Sequence, residues 1–240
     1  AVMALLAPGA PFEMAVEDVL GEPMQVFVQR DRSLRELLEH AGRFGDSDYA
    51  VFHDGGRRRV LTFADHERRV ASVAAAMADR GVAAGDRVAI LAANCPEWIV
   101  AFWATVSLGA VAVACNGWWT RDEIRHALAH TTPKLLVADA KRLARLEGAD
   151  PGMPVVLIED DFADLESFAP DAVLPDVAID EDQPALLQFT SGTTGRPKAA
   201  VLSHRNVVAF VQVVSFLGAA QTASVGLPST GPRRPRLAVF

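Results

Sequence analysis

The chain has 240 residues, of which 50% are hydrophobic and 22% are charged, a composition typical of a folded protein that can bury a sizeable core. Its formal net charge of −7 argues against nucleic acid as the main partner. The two cysteines, Cys95 and Cys115, lie in apolar segments without metal-ligand spacing, which favours buried, reduced thiols.

Neither a signal peptide nor a membrane span is expected. The apolar start AVMALLAPGAPF is short and lacks a basic region. No apolar run in the sequence approaches the roughly 20 residues that a bilayer-spanning helix needs. These features predict a soluble protein located in the cytoplasm.

Helix and strand signals alternate between residues 60 and 140. Capping residues, prolines and glycines mark the helix ends, and short apolar runs mark the strands. The predicted elements are a helix from Thr62 to Gly81, a strand over Arg87–Leu91, a helix from Pro96 to Gly109, a strand over Ala110–Ala114, a helix opened by the Thr120/Glu123 capping box, and strands in PKLLVAD and PVVLIED. Buried strands separated by helices indicate an α/β fold with layered, mostly parallel sheets flanked by helices.

Residues 146–195 contain no lysine or arginine, but twelve acidic residues lie between Glu147 and Asp182. Their scattered spacing does not suggest a metal site, so we expect a solvated connection. The last residues, LAVF, are expected to begin a strand.

The stretch FTSGTTGRPKAAVLSHRNV contains glycines that bring backbone N–H groups close to a ligand, together with hydroxyl donors and one lysine. Converging N–H groups, hydroxyls and a cation suit a polyphosphate. The candidate phosphate-binding residues are Thr190, Ser191, Gly192, Thr193, Thr194, Gly195 and Lys198.

Two other interpretations compete for this stretch. A Walker-type loop fails, because its glycine spacing differs, Ala199 replaces the hydroxyl residue after the lysine, and a strand-like run follows. A flexible polar hairpin without a ligand remains open from composition alone.

The same stretch, from Thr190 through Lys198 to His204 and Asn206, resembles the signature loop of the adenylate-forming (AMP-binding) superfamily. The region from LTFADHERRV to PKLLVAD is similar to the sequence upstream of that loop in fatty acyl-CoA synthetases. The resemblance covers about residues 30–240, and its loop motif is highly specific. It implies a lead-in segment of residues 1–30 followed by an incomplete AMP-binding domain of residues 31–240. It implies that the chain is an N-terminal fragment, inactive alone, of a considerably longer enzyme.

The resemblance implies a ligase that activates a fatty or other carboxylic acid with ATP and Mg²⁺, releases pyrophosphate, and passes the acyl group to coenzyme A. Donors around the leaving pyrophosphate would stabilise the charge that develops there. Loose membrane association through the substrate is compatible with this role. Alternatives are an acyl-AMP ligase that delivers to a carrier protein and a noncatalytic polyphosphate-binding module. Ala199 and Ala114 depart from the glycine and proline that are usual in the family.

Several other residues are expected to have structural roles. His204 and Asn206 should begin a helix, and the segment NVVAFVQVVSFLGAA should be a buried helix rather than a lipid contact. Packing is the expected role of Trp98, Trp103, Trp118 and Trp119, and an exposed helix face is expected for His66, His126 and His130 rather than a zinc site.

Overall fold

A computed structural model describes residues 2–54, 56–190 and 197–225. Two small antiparallel hairpins precede the main sheet. The elements up to residue 62 are helix α1 (Val2–Leu5), strands β1 (Met14–Val19) and β2 (Glu22–Phe27), helix α2 (Leu34–Ala41), and strands β3 (Asp48–Asp54) and β4 (Arg57–Thr62). The N-terminal hairpin β1–β2 belongs to the segment predicted as a lead-in, and the boundary at residue 30 stays a prediction.

The main sheet has six strands in the order β10-β9-β6-β5-β7-β8. Neighbouring strands are parallel except for β9 and β10, which form an antiparallel hairpin. The strands are β5 (Arg87–Leu91), β6 (Val111–Ala114), β7 (Leu135–Ala138), β8 (Val155–Leu157), β9 (Pro184–Thr190) and β10 (Lys198–Ser203). The prediction of a layered, mostly parallel α/β fold is confirmed.

Helices cover both faces of this sheet. One apolar cluster joins alternate residues of β5 and β7 to the helices before β5 and after it, and a second cluster joins the remaining residues to the helix before β7. The helices are α3 (Phe63–Asp79), α4 (Pro96–Ser107), α5 (Arg121–Thr131), α6 (Ala140–Leu143), α7 (Phe162–Ser167) and α8 (His204–Val225).

The predicted helix ends are confirmed by side-chain and backbone geometry. Thr62 Oγ1 accepts a hydrogen bond from the Asp65 amide at 3.0 Å, and the Glu123 carboxylate accepts from the Thr120 amide at 2.8 Å. Gly109, just after α4, has a φ of 67°, and a Cβ there would lie 3.3 Å from the Ala84 Cβ. Glycine is therefore required at this turn for both its conformation and its size.

The expectation of a buried helix in NVVAFVQVVSFLGAA is wrong. Helix α8 packs along one side only, where Val208 is 1% exposed, while Phe210 is 69% and Leu217 is 59% exposed. The expectation that no apolar run is long enough to span a bilayer is also contradicted. Residues His204–Ser224 are long and apolar enough by length and composition alone, with a mean hydropathy of 1.6, although only 6% of that window is buried.

His66 also departs from the expected exposed face. It is fully buried, its ring stacks on the Tyr49 ring with centroids 4.3 Å apart, and among the described residues neither of its ring nitrogens has a hydrogen-bond partner. Burial, with a smaller contribution from the Arg69 charge, lowers the pKa of His66 to about 3. His66 is therefore a neutral core residue.

Both cysteines are free thiols, as predicted, and Cys115 is buried. Burial raises the pKa of each thiol to about 12. Cys95 is only half-buried and has a further role at the start of α4, where its Sγ accepts a hydrogen bond from the Trp98 amide at 3.4 Å. Neither thiol has the lowered pKa of a reactive cysteine.

Candidate functional site

Two candidate phosphate-binding residues, Thr190 and Lys198, lie at the loop end of the hairpin β9–β10, which we call the mouth of the hairpin. Lys198 is paired with Thr190 in the strand register, and Thr190 Oγ1 donates a hydrogen bond to the Lys198 carbonyl oxygen at 3.3 Å. Both side chains are exposed. The other predicted site residues, Ser191, Gly192, Thr193, Thr194 and Gly195, lie outside the described residues. The structure thus brings together the first and last residues of the predicted site.

Lys198 supplies a positive charge at this place. Among the described residues, Lys198 has no carboxylate partner within ion-pair distance, whereas Lys134 at the amino end of β7 pairs with Asp86 at 3.1 Å. An exposed ammonium group without a carboxylate partner can bind an anion without first breaking an ion pair.

The hairpin mouth lies at the carboxyl edge of the parallel strands. Strand β9 runs parallel to β6 with Ala114 paired to Gln188, so the residues after β6 lie beside Thr190. In open α/β sheets, ligands bind outside the carboxyl ends of the strands. Thr190 and Lys198 therefore lie at the edge where open α/β sheets bind their ligands.

The tryptophan pair after β6 lies at the same edge, and its members differ. Trp119 is 6% exposed and packs edge-on against the Phe189 ring with centroids 4.9 Å apart, as the packing prediction requires. Trp118 is 84% exposed, so the packing prediction is wrong for it. Arg145 Nη1 holds the turn by donating to the carbonyl oxygens of Gly117 at 2.7 Å and Trp119 at 3.0 Å.

The other two tryptophans lie in α4, and packing is confirmed for both. Trp98 stacks on the Phe102 ring with centroids 5.8 Å apart, and Trp103 Nε1 donates to the Tyr49 hydroxyl at 3.0 Å.

The other end of the hairpin is held by ion pairs that sequence reasoning missed. Arg205 Nε and Nη2 donate to the two carboxylate oxygens of Asp182 at 2.6 and 2.7 Å. Arg205 also pairs with Glu181 at 2.8 Å, and Glu181 accepts from Arg30. The solvated connection predicted for the acidic segment is therefore wrong at Glu181 and Asp182. Their positions in the sequence could have indicated these ion pairs. Acidic residues just before one strand of a hairpin lie opposite an arginine just after the other strand.

These contacts shift the pKa values of both carboxyl groups. The hydrogen bonds from Arg205 hold the pKa of Asp182 below its ordinary value. Burial raises the pKa of Glu181, but the hydrogen bonds from Arg30 and Arg32 outweigh burial, so that its pKa is lowered. Both groups are ionised at neutral pH.

His204 begins α8, as predicted, and is fully buried. Its Nδ1 accepts a hydrogen bond from the Leu34 amide at 3.1 Å, and burial lowers its pKa to about 4. Asn206 closes the first turn, since Asn206 Oδ1 accepts from the Ser203 amide at 3.0 Å. His204 and Asn206 therefore hold the end of the hairpin and do not reach its mouth.

The described residues contain no group of three or more histidine, cysteine or acidic side chains that could hold a metal ion. His126 and His130 stack on one another with ring centroids 5.8 Å apart; His130 is exposed and His126 is half-buried. A surface cavity of about 450 Å³ lies at the Ser203 end of β10, away from Thr190 and Lys198.

Comparison with known proteins identifies the family of the chain. The sequence profile of the family described as "AMP-binding enzyme" matches residues 37–228. The chain belongs to this family. The match includes both strands of the hairpin and all of α8.

Curated relatives of the chain include ligases for several acids. Over 174 residues it is 37% identical to 4-coumarate–CoA ligase 2 of Oryza sativa subsp. japonica, which covers 64% of this chain and 31% of the relative. Over 205 residues it is 32% identical to acyl-CoA ligase sidI of Aspergillus fumigatus, which covers 74% of this chain and 34% of the relative. The chain thus spans about a third of the length of these relatives.

Solved structures share the fold. A putative long-chain-fatty-acid CoA ligase from Rhodopseudomonas palustris matches with a TM-score of 0.64 and 26% identity, over 79% of this chain and 48% of that one. The complex of VinN with 3-methylaspartate matches with a TM-score of 0.68 and 24% identity, over 82% of this chain and 53% of that one.

Proposed function

We propose that this chain supplies the polyphosphate-binding part of an adenylate-forming ligase. The ligase activates a carboxylic acid with ATP to acyl-AMP and pyrophosphate, and then transfers the acyl group to coenzyme A. The observation that carries the proposal is the pairing of Thr190 with Lys198 at the carboxyl edge of the sheet, within the region that matches the AMP-binding family.

The chemical role follows from the charges at this edge. As the bond to the α-phosphate breaks, negative charge grows on the departing pyrophosphate. Lys198 and the hydroxyl and N–H donors of residues 190–195 would stabilise that charge more than they stabilise bound ATP. In this proposal none of these residues acts as an acid, a base or a nucleophile.

Mg²⁺ and coenzyme A are proposed on different grounds. Mg²⁺ would arrive with ATP, because Mg²⁺ is commonly bound through substrate phosphates. Coenzyme A as acceptor is supported by the names of relatives such as feruloyl-CoA synthase of Amycolatopsis. No residue of this chain is assigned to coenzyme A.

We propose a fatty acid as the substrate, because residues 60–140 resemble fatty acyl-CoA synthetases. We also propose that the enzyme is cytoplasmic. A hydroxycinnamic acid is a second candidate, favoured by relatives named 4-coumarate–CoA ligase and feruloyl-CoA synthase. Thermal unfolding with dodecanoyl-AMP and with 4-coumaroyl-AMP compares the two acids. The larger rise in Tm identifies the class, and a larger rise with 4-coumaroyl-AMP would overturn the fatty-acid proposal.

Calorimetric titration of the chain with inorganic pyrophosphate and with ATP tests the site. Thr193→Ala combined with Lys198→Ala should weaken pyrophosphate binding at least about tenfold, because hydrogen bonds to charged groups contribute about 1.5–3 kcal/mol each. Lys134→Ala, at the opposite edge of the sheet, is the matched control and should leave the affinity unchanged. Equal affinity of the double variant and the unmodified chain would refute the assignment.

A further inference from the structure

Strand β10 is not held in the hydrophobic core, although its partner β9 contributes the fully buried Ala185. Strand β10 contains no buried residue, and among the described residues β9 is its only strand partner. Its ladder is irregular between Leu202 and Ser203. Register is weakly specified wherever neither face of a strand is buried, so β10 needs another constraint.

A clamp formed by the side chains of Asp182, Glu181 and Arg205 lies across the base of the hairpin. Asp182 stands just before β9, and Arg205 stands just after β10. The two-point contact between them, at 2.6 and 2.7 Å, fixes both distance and angle. The Arg205 amide also donates to the Glu181 carbonyl oxygen at 2.6 Å, so backbone and side chain hold the same place.

The clamp is anchored to the N-terminal hairpin. Arg30, whose side chain is 3% exposed, donates to Glu181 at 2.9 Å and to Glu17 at 2.6 Å. The side chains of Arg205 and Glu181 are only 11% and 12% exposed, so water screens their attraction much less than it would at an open surface. Strand β1, the segment after β2 and the segment before β9 therefore act together to fix the position of Arg205.

We infer that Arg205, held by Asp182 and Glu181, is a positioning residue that fixes the register of Lys198 against Thr190. Lys198 lies five residues along β10 from Ser203, which is about 17 Å at about 3.4 Å per residue. A slip of one residue would turn the Lys198 side chain to the other face of the sheet. Arg205 thus acts on the mouth of the hairpin without reaching a ligand there.

The part of this inference that concerns phosphate rests on the proposed function, whereas the part that concerns register does not. Two measurements on the same chain separate them. Amide hydrogen exchange measures how often the hydrogen bonds of β10 open compared with those of β5. Calorimetric titration with inorganic pyrophosphate measures the affinity of the site at Thr190 and Lys198.

Arg205→Met is the main variant. We expect the amides of β10 to exchange about tenfold faster while those of β5 change less than about twofold, because only the hairpin opens. The dissociation constant for pyrophosphate should rise about tenfold, which corresponds to about 1.4 kcal/mol. Arg205→Lys keeps the positive charge but loses the two-point contact with Asp182. Its exchange rate in β10 and its dissociation constant for pyrophosphate should lie between those of Arg205→Met and the unmodified chain. Asp182→Asn keeps the shape of its side chain and replaces Arg205→Met if that variant does not fold.

Arg69→Met is the matched control, because Arg69 forms a comparably half-buried pair with Glu166 at 3.3 Å between α3 and α7. It should lower Tm without affecting exchange in β10 or pyrophosphate affinity. Unchanged exchange in β10 of Arg205→Met overturns the inference, and so does unchanged pyrophosphate affinity when the unmodified chain binds. If the unmodified chain does not bind pyrophosphate, the proposed function fails, and exchange alone then decides the inference about register.

Discussion

The central strand β5 and the edge strand β10 of the six-stranded sheet are held in place by different interactions. In β5 the residues from Val88 to Leu91 are completely buried, whereas β10 has no buried residue at all. The central strand β5 is therefore specified by apolar burial on both faces, and the edge strand β10 by ion pairs at the base of its hairpin. The difference matters because residues that bind a ligand must stay exposed, so another part of the hairpin has to hold them in place.

Truncation of a central side chain should have the largest effect on stability. Ile90→Ala should lower the free energy of unfolding by about 4 kcal/mol, because it removes buried methyl groups and leaves a cavity. Val201→Ala in β10, where the side chain is 59% exposed, should cost about 0.5 kcal/mol or less. Urea denaturation of the two variants measures the contrast, and similar losses would contradict a division into centre and edge.

Acid should destabilise the chain through buried His66 on α3 before it breaks the ion pairs of Asp182 and Glu181 beside the hairpin β9–β10. The pKa of His66 is about 3 in the folded chain and 6.5 as an ordinary value, so the unfolded chain takes up the proton first. Stability is then fully present above pH 6.5 and falls by about 1.4 kcal/mol per pH unit below it, about 2 kcal/mol at pH 5.

His66→Phe should abolish this acid dependence, and His126→Phe, on a half-buried helix face, should retain it. The measurement is Tm as a function of pH between 4 and 8. The pKa values of Asp182 and Glu181 are lowered, so their contribution is present above the ordinary carboxyl range and is lost only at more acidic pH. A parallel decline of the His66→Phe variant and the unmodified chain would show that another group controls the transition.

The outer face of α8 should give the smallest change in stability. Phe210→Lys and Leu217→Lys replace exposed side chains and should change the free energy of unfolding by about 0.5 kcal/mol or less, while reducing self-association and dye binding. Val208→Lys on the packed face should prevent folding, because it buries an unpaired charge. Sedimentation velocity and denaturation distinguish the faces. A loss of stability in Phe210→Lys as large as in Ile90→Ala would mean that the outer face is packed.

Local sequence signals were sufficient for the centre of the molecule. The strand over Arg87–Leu91, the caps at Thr62 and Thr120, and the glycine after α4 all appear where they were predicted. These features depend on residues a few positions apart, and buried strands consist of continuous apolar runs. The hairpin partner of β9 was also predictable, because an apolar run follows Lys198 directly.

Long-range pairing was not predictable from such signals. His66 was expected on an exposed face, and only the packing of Tyr49 and Trp103 around it shows that it is buried. Helix α8 was expected in the core, because its sequence is apolar on all sides and composition does not tell which side finds a partner. The clamp at Arg205 joins residues 23 positions apart to a third group at Arg30.

The sequence by itself determined the α/β class, the order of strands and helices along the chain, and the loop motif that resembles the adenylate-forming superfamily. Only the tertiary structure decided which strand became the edge, which face of α8 is packed, and which acids meet Arg205. The physical reason is that periodicity and capping act over one or two turns of chain. Burial and ion pairing depend instead on which distant segments come together when the sheet and its helices assemble.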